Sequence, residues 1–213
     1  VIVRQVNKEP YSVESPISIT LVQGIAKGEK MDLIIQKATE LGVRNIVPLI
    51  TVHAEVRHTE KLARWRKIAI SASQQSGRDK VPEITEPVKF AEFMDQGACF
   101  LTEENINSVI PVKKGIQKTK DLDSCILRND NMGKIIFSEE YKTRNLKQVL
   151  KDFQNTKEIT IVIGPEGGFS KEEVDKAVEK GFMETSLGPR ILRTETAPIA
   201  AISVIQYELG DMG

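Results

Sequence analysis

From Ile17 onward the apolar positions fall into two rhythms. Short runs rich in β-branched residues, ISITLVQG, NIVPLI, KIIFSEE and EITIVIG, read as strands, and between them apolar residues return every three or four positions, the period of a helix. KMDLIIQKATELG carries Ile34, Ile35, Ala38 and Leu41 on one helical face and meets a stop at Gly42. A second stripe, Leu62, Trp65, Ile68, Ala69 and Ala72, predicts a helix from about Glu60 to Ser73, followed by the loop QQSGRDKVP. A short helix is expected near Leu146 to Phe153. Ser170 and Glu173 form an S-x-x-E capping box that opens a helix with Val174, Ala177 and Val178 on one side and Gly181 as its end. The strand METSL, the loop GPRILRTET and a helix from about Pro198 to Leu209, with Thr196 as a candidate N-cap, complete the pattern. That last helix is apolar nearly all round, which predicts burial in the core or in a subunit interface. Strands alternating with helices indicate a parallel α/β sheet.

Two stretches depart from the rhythm. Thr102 to Met132 is polar, rich in Lys, Asn and Asp, and holds neither period for long, so it reads as an insertion or mobile loop. Val1 to about Pro16 passes from β-type residues into a Pro/Ser/Glu-rich segment and reads as the end of a preceding unit.

Charge changes the picture only locally. Thirty basic and thirty acidic residues leave no whole-molecule field to draw the chain toward nucleic acid or membrane. Between Arg57 and Lys80, however, seven basic residues face only Glu60 and Asp79. Lys61, Arg64 and Lys67 lie close to one helical face opposite the Leu62/Trp65 stripe, with Arg78 beyond them, and can straddle phosphates; the alternative is a solvated helix face. Cys99 and Cys125 have no CxxC spacing, which argues against a disulfide framework and a cysteine zinc site, and His53 and His58 have no matching acidic partner for a metal. The longest strongly apolar stretch, Ala197 to Ile205, is about half of what a bilayer needs. The expectation is a soluble protein of a reducing compartment, without metal or membrane partner.

The candidate chemistry lies in two segments between strand and helix. Ile163-Gly164-Pro165-Glu166-Gly167-Gly168-Phe169-Ser170 places three glycines at the carboxyl end of a strand, where parallel sheets bind ligands and where glycine lets backbone approach closely. The spacing is neither GxGxxG nor GxxxxGK[ST], so a dinucleotide or triphosphate loses support; the alternative is a turn that serves only the connection. Leu187-Gly188-Pro189-Arg190-Ile191-Leu192-Arg193-Thr194-Glu195-Thr196-Ala197 sets Arg193 and Glu195 among apolar residues in a loop returning to a buried helix. Partly buried charges need partners or a task, and these two can pair with each other or with Glu166.

IGPEGGFS followed by LGPRILRTETA, with IIQKATELGVRNIVPL and QQSGRDKVPEI upstream, closely resembles the RsmE family, the 16S ribosomal RNA uridine N3-methyltransferases of the SPOUT superfamily. The resemblance runs from about Ile17 to Tyr207, the polar middle excepted. It implies a parallel-sheet α/β SPOUT methyltransferase fold with a C-terminal deep trefoil knot, a homodimer, and S-adenosyl-L-methionine bound in the knot. The implied partner is ribosomal RNA or the assembled small subunit, in the cytoplasm or, for a eukaryotic version, in an organelle. The implied division is a remnant of an N-terminal PUA-like β-barrel RNA-binding domain at 1–16 and a methyltransferase domain at 17–213 with the insertion at about 102–132.

Carried over residue by residue, the family's cofactor loops fall on Phe137, Ser138 and Glu139, on Ile163, Gly164, Pro165, Glu166, Gly167 and Gly168, and on Leu187, Gly188, Ile191, Leu192, Arg193, Thr194, Thr196 and Ala197. Leu187, Ile191 and Leu192 would line the adenine pocket, with plain core packing as the alternative. The acceptor imide proton must be removed or its anion stabilised, which suggests Arg193 for electrostatic stabilisation, Glu195 for orientation or proton acceptance, and Glu166 for holding the loop. Fold and donor loops do not fix the target. The competing readings are therefore another RNA acceptor or a catalytically silent RNA-binding assembly factor.

Overall fold

The computed structural model describes residues 12–54, 61–96, 132–139 and 144–213. In chain order the elements are β1 (Ser18–Gly24), α1 (Lys30–Glu40), β2 (Asn45–Ile50), α2 (Leu62–Ser76), β3 (Glu83–Ile84), β4 (Val88–Lys89) and α3 (Phe90–Gln96). They continue with β5 (Met132–Phe137), α4 (Leu146–Leu150) running into a 3-10 turn at Lys151–Phe153, β6 (Glu158–Ile163), α5 (Lys171–Glu179), β7 (Met183–Thr185) and α6 (Thr196–Leu209). The sheet runs β3-β2-β1-β6-β5-β7, with β4 also beside β2, and every pairing is parallel.

The unbroken apolar strands follow from helices covering both faces of this sheet. Ile19 and Leu21 of β1, Ile46 of β2, Ile135 of β5 and Ile161 of β6 point to the side of α1, α2, α4 and α6. Their neighbours Val22, Val47, Ile136 and Val162 point to a smaller core with Phe90, Phe93, Met94, Ala177 and Phe182. Strand β1 is central, with β2 on one side and β6 on the other, so the order of connection reverses between β1 and β6. The carboxyl ends of the strands around such a reversal are where open α/β sheets bind ligands.

Several elements differ from the sequence expectation. Helix α2 starts at Leu62 and runs through Gln74 and Gln75 to Ser76, ending at Gly77 in the left-handed conformation. The capping box of Ser170 and Glu173 is formed, but Val178 of α5 is exposed and only Ala177 of the expected apolar trio is fully buried. Helix α6 begins at Thr196 with Glu195 as its N-cap residue, so Thr196 does not cap it. One side of α6 (Ala201, Ile202, Ile205) is buried while Val204 and Tyr207 are exposed. The short pieces β3, β4 and α3 had no periodic signal long enough to announce them. The expected insertion lies outside the described residues except Met132, which already belongs to β5.

Arg78, expected among the phosphate-binding cations, is instead internal: its side chain is 5 % exposed. It donates to the carbonyl oxygens of Thr39 (2.8 Å) and Val43 (2.9 Å) at the carboxyl end of α1 and pairs with Glu14 at 2.6 Å. A cation at that helix end satisfies carbonyls that lack intrahelical partners. Nearby, the Ser15 hydroxyl donates to Gln206 Oε1 of α6, whose amide donates to the Leu41 carbonyl. The segment before β1 is thus fastened both to α1 and to the last helix. Among the described residues no helix is long and apolar enough to cross a membrane.

Candidate functional site

Three chain segments meet at the carboxyl ends of β5, β6 and β7. Gln23 of β1, wholly buried, donates from its amide to the Gly164 carbonyl (3.3 Å), and the Thr194 hydroxyl donates to the same oxygen (2.9 Å). These bonds tie the glycine-rich turn to the loop before α6. On the other side, the Ser138 amide donates to the Thr185 carbonyl and its hydroxyl to Glu184 at 2.7 Å, which holds the end of β5 against β7. Close packing requires glycine at two points: a Cβ on Gly24 would lie 2.5 Å from Pro165, and one on Gly167 would lie 2.9 Å from the His53 Cβ.

The space between these segments is a cavity of about 580 Å³, a size typical of small-molecule sites. Phe137, Ser138 and Glu139, the whole stretch Ile163 to Gly168, and Leu187, Gly188, Ile191, Leu192, Arg193, Thr194 and Ala197 border it. Thr196 and Glu195 do not. Sequence reasoning missed Lys30, Glu184, Ser186 and Arg190, which also border the cavity. The Ser186 hydroxyl is buried and has no hydrogen-bond partner among the described residues, so it is free to bond a ligand. Ile191 is 75 % exposed beside the opening, an apolar residue with no core to explain it, whereas Leu187 also packs on the core.

The cavity wall nearest α1 carries a cluster of charges, while Glu139, Lys171, Asp175, Glu184 and Arg190 border the rest. Glu166 accepts from the Lys30 ammonium (2.8 Å) and from the Lys27 amide (3.1 Å). Burial raises the Glu166 pKa, but the bonds from Lys30 and from backbone amides outweigh it and hold the carboxyl below the ordinary glutamate range. Lys30 is raised, chiefly by its bond to Glu166. Glu195 lies behind this pair, its side chain 16 % exposed, with Lys30 at 3.8 Å and Arg193 at 3.9 Å. Arg193 itself is 83 % exposed and reaches into the cavity from the loop before α6. The three charged residues expected from sequence are therefore brought together, and Lys30 joins them. Such a wall can hold an acidic group ionised while leaving a cation for negative charge that develops on a substrate.

The cationic face of α2 is partly engaged with the molecule itself. Arg64 pairs with Asp32 at 2.6 Å, and Lys61 donates to the Gly28 carbonyl, while Lys67 is exposed. Arg57 and His58 lie outside the described residues. Lys61 and Arg64 lean toward the start of α1, next to Lys30, so the cationic face adjoins the charged wall of the cavity.

Among the described residues, the glycine cradle and the Ser186 hydroxyl without a hydrogen-bond partner fit a nucleoside held largely by backbone. A family model described as RNA methyltransferase domain matches residues 13–108 and 105–206. The chain is 34 % identical over 210 residues to ribosomal RNA small subunit methyltransferase E of Buchnera aphidicola, covering 96 % of this chain and 71 % of that protein. It is 31 % identical over 200 residues to the protein of the same name from Bacillus subtilis, with 92 % and 68 % covered. Among solved structures it is similar to the ribosomal RNA small subunit methyltransferase E of Neisseria gonorrhoeae bound to S-adenosyl methionine. That similarity has a TM-score of 0.75 and 35 % identity, and covers 96 % of this chain and 72 % of that one.

Proposed function

The chain belongs to the ribosomal RNA small subunit methyltransferase E family, and from that premise we propose that it methylates N3 of a uridine in 16S ribosomal RNA, using S-adenosylmethionine. The observation that carries this reading is the meeting of three ligand-facing segments around one cavity whose wall bears Lys30, Glu166 and Arg193. Bound there, the cofactor supplies an electrophilic methyl group on a sulfonium. Phe137 to Glu139, Ile163 to Gly168, Leu187, Gly188, Ile191 to Thr194 and Ala197 would hold it, with Leu187, Ile191 and Leu192 lining the adenine pocket and the Ser186 hydroxyl as an added donor. The protein's remaining work is to align the acceptor, exclude water and manage one proton. Glu195 orients the uracil or accepts its imide proton, Arg193 stabilises the negative charge that spreads to the uracil oxygens, and Glu166 fixes the loop.

The wider assembly follows the same reading. Residues 17–213 form the methyltransferase domain, and 1–16 lead into it from a PUA-like RNA-binding domain. Lys61, Arg64 and Lys67 line the path of the RNA backbone toward the cavity. The exposed side of α6, with Val204 and Tyr207, packs against a second copy in a cytoplasmic homodimer. A trefoil knot is supported by the path of the chain: β7 lies at the sheet edge, whereas α6, which follows it, packs on α1 and β1.

The test is calorimetric titration with S-adenosylmethionine followed by mass analysis of nucleosides from unmodified 16S ribosomal RNA incubated with enzyme and cofactor. Binding of one cofactor per subunit at about micromolar strength, roughly −8 kcal/mol, together with N3-methyluridine in the digest, is the expected result. A different methylated nucleoside would overturn the acceptor, and binding without any methylated product would favour a silent RNA-binding factor.

A further inference from the structure

Lys30 is the first residue of α1, where the partial positive charge of a helix N-terminus disfavours a cation. Its ammonium is nevertheless fixed on the cavity wall, held by Glu166, which is itself anchored by the Lys27 amide. The carboxylates around it more than offset the helix end, so the cation is secured where it can meet a ligand. Glu195 supplies the context, because it sits between two cations: Oε2 faces Lys30 at 3.8 Å and Oε1 faces Arg193 at 3.9 Å. These separations are too long for hydrogen bonds yet short for Coulomb attraction. Oε2 is buried and accepts no hydrogen bond among the described residues. Oε2 is thus enclosed behind the wall, and it is Lys30 and Arg193, both bordering the cavity, that present donors to an arriving group.

Lys30 and Arg193 thus offer the cavity two cationic donors, one on either side of Glu195. The pairing edge of uracil complements two donors, with O2 and O4 as acceptors on either side of N3–H. Cytosine presents an amino group in place of O4, so it would set a donor against one of the two cations. Resting on the uridine reading above, we propose that Lys30 is a specificity-determining residue. Opposite Arg193, it forms the second cationic flank that selects a uracil imide over cytosine and takes up charge on the imide oxygens. The groups facing the ammonium are Glu166 and Glu195, with Arg193 the cation across from it, and its raised pKa keeps it protonated throughout the neutral range.

The experiment uses the full chain as wild type, Lys30→Met and Lys30→Arg, with unmodified 16S ribosomal RNA and the same RNA carrying cytidine at the position that wild type methylates. Lys30→Met is expected to lower kcat/KM on the uridine RNA by about 100-fold while leaving the melting temperature and S-adenosylmethionine affinity close to wild type. In equilibrium binding it is expected to erase the preference for uridine over cytidine RNA, a preference that Lys30→Arg partly restores. Retention of that preference by Lys30→Met would overturn the proposal, as would loss of cofactor affinity in proportion to activity, which would make Lys30 a residue of the cofactor site. If wild type itself produces no N3-methyluridine, the fault lies in the reading of the reaction, and the variants separate the two failures.

Discussion

The two edges of the sheet carry similar clusters of charge that are finished differently. At the amino-terminal edge Arg78 spends its donors on Thr39, Val43 and Glu14, and Glu14 accepts in addition from the Lys80 amide. At the carboxyl-terminal edge Lys30 bonds Glu166 but Glu195 stands 3.8 Å from Lys30 and 3.9 Å from Arg193, its Oε2 has no hydrogen bond among the described residues, and Arg193 is exposed. Saturation separates them. A charge with every hydrogen bond made inside the protein serves the fold, whereas one whose geometry is fixed but whose valence is open awaits a partner.

If that distinction holds, substitutions at the two edges should fail in different assays. The largest effect is expected from Arg78→Met, which strands the α1 carbonyls and Glu14 and should cost about 3 kcal/mol. Calorimetry should register this as a fall in melting temperature on the order of 10 °C, with the cofactor affinity of the folded fraction unchanged. Glu195→Gln should do the reverse, lowering kcat by about 100-fold in single-turnover assays while the melting temperature stays near that of wild type. A smaller effect sharpens the first edge. Burial raises the Glu14 pKa, but Arg78 and the amides of Lys80 and Asp79 outweigh it, so the carboxyl is held below its ordinary range. Its stabilisation is therefore present above the unfolded-state pKa and lost as pH falls through the lowered folded value. Glu14→Gln should be less stable than wild type by about 1–2 kcal/mol at neutral pH, and the gap should close as denaturation curves are taken to acid pH. Smallest of all, Lys67→Ala should reduce the salt slope of RNA binding by about one without touching stability or cofactor affinity.

The same distinction explains what the sequence could disclose. Strands β1, β2, β5 and β6 and helices α1, α2 and α5 were legible because burial imposes a period, and the glycine-rich turn because close approach imposes a residue type. Arg78 was misread since nothing local marks it as internal: its carboxylate partner lies 64 residues earlier. Lys30 escaped notice for a related reason, as a lysine opening a helix looks solvated until Glu166, 136 residues away, is brought against it. Val178 has the helical spacing of a core residue but is 47 % exposed on α5. Segments as short as β3 and β4 take their form from the edge of β2 and carry no period of their own.

The central place of β1 has a consequence for how the molecule is made. One of its edges is completed promptly by β2, but the other waits for β6, and the contact that closes that seam at the cavity joins Gln23 to Gly164, 141 residues later. A chain emerging at roughly 5–20 residues per second leaves that edge unpaired for on the order of 10 s. Throughout that interval a strongly apolar strand offers its backbone to any other extended segment within reach. Accidents of pairing should therefore concentrate during synthesis, before the late half of the sheet has been translated, and should be rare once it has closed.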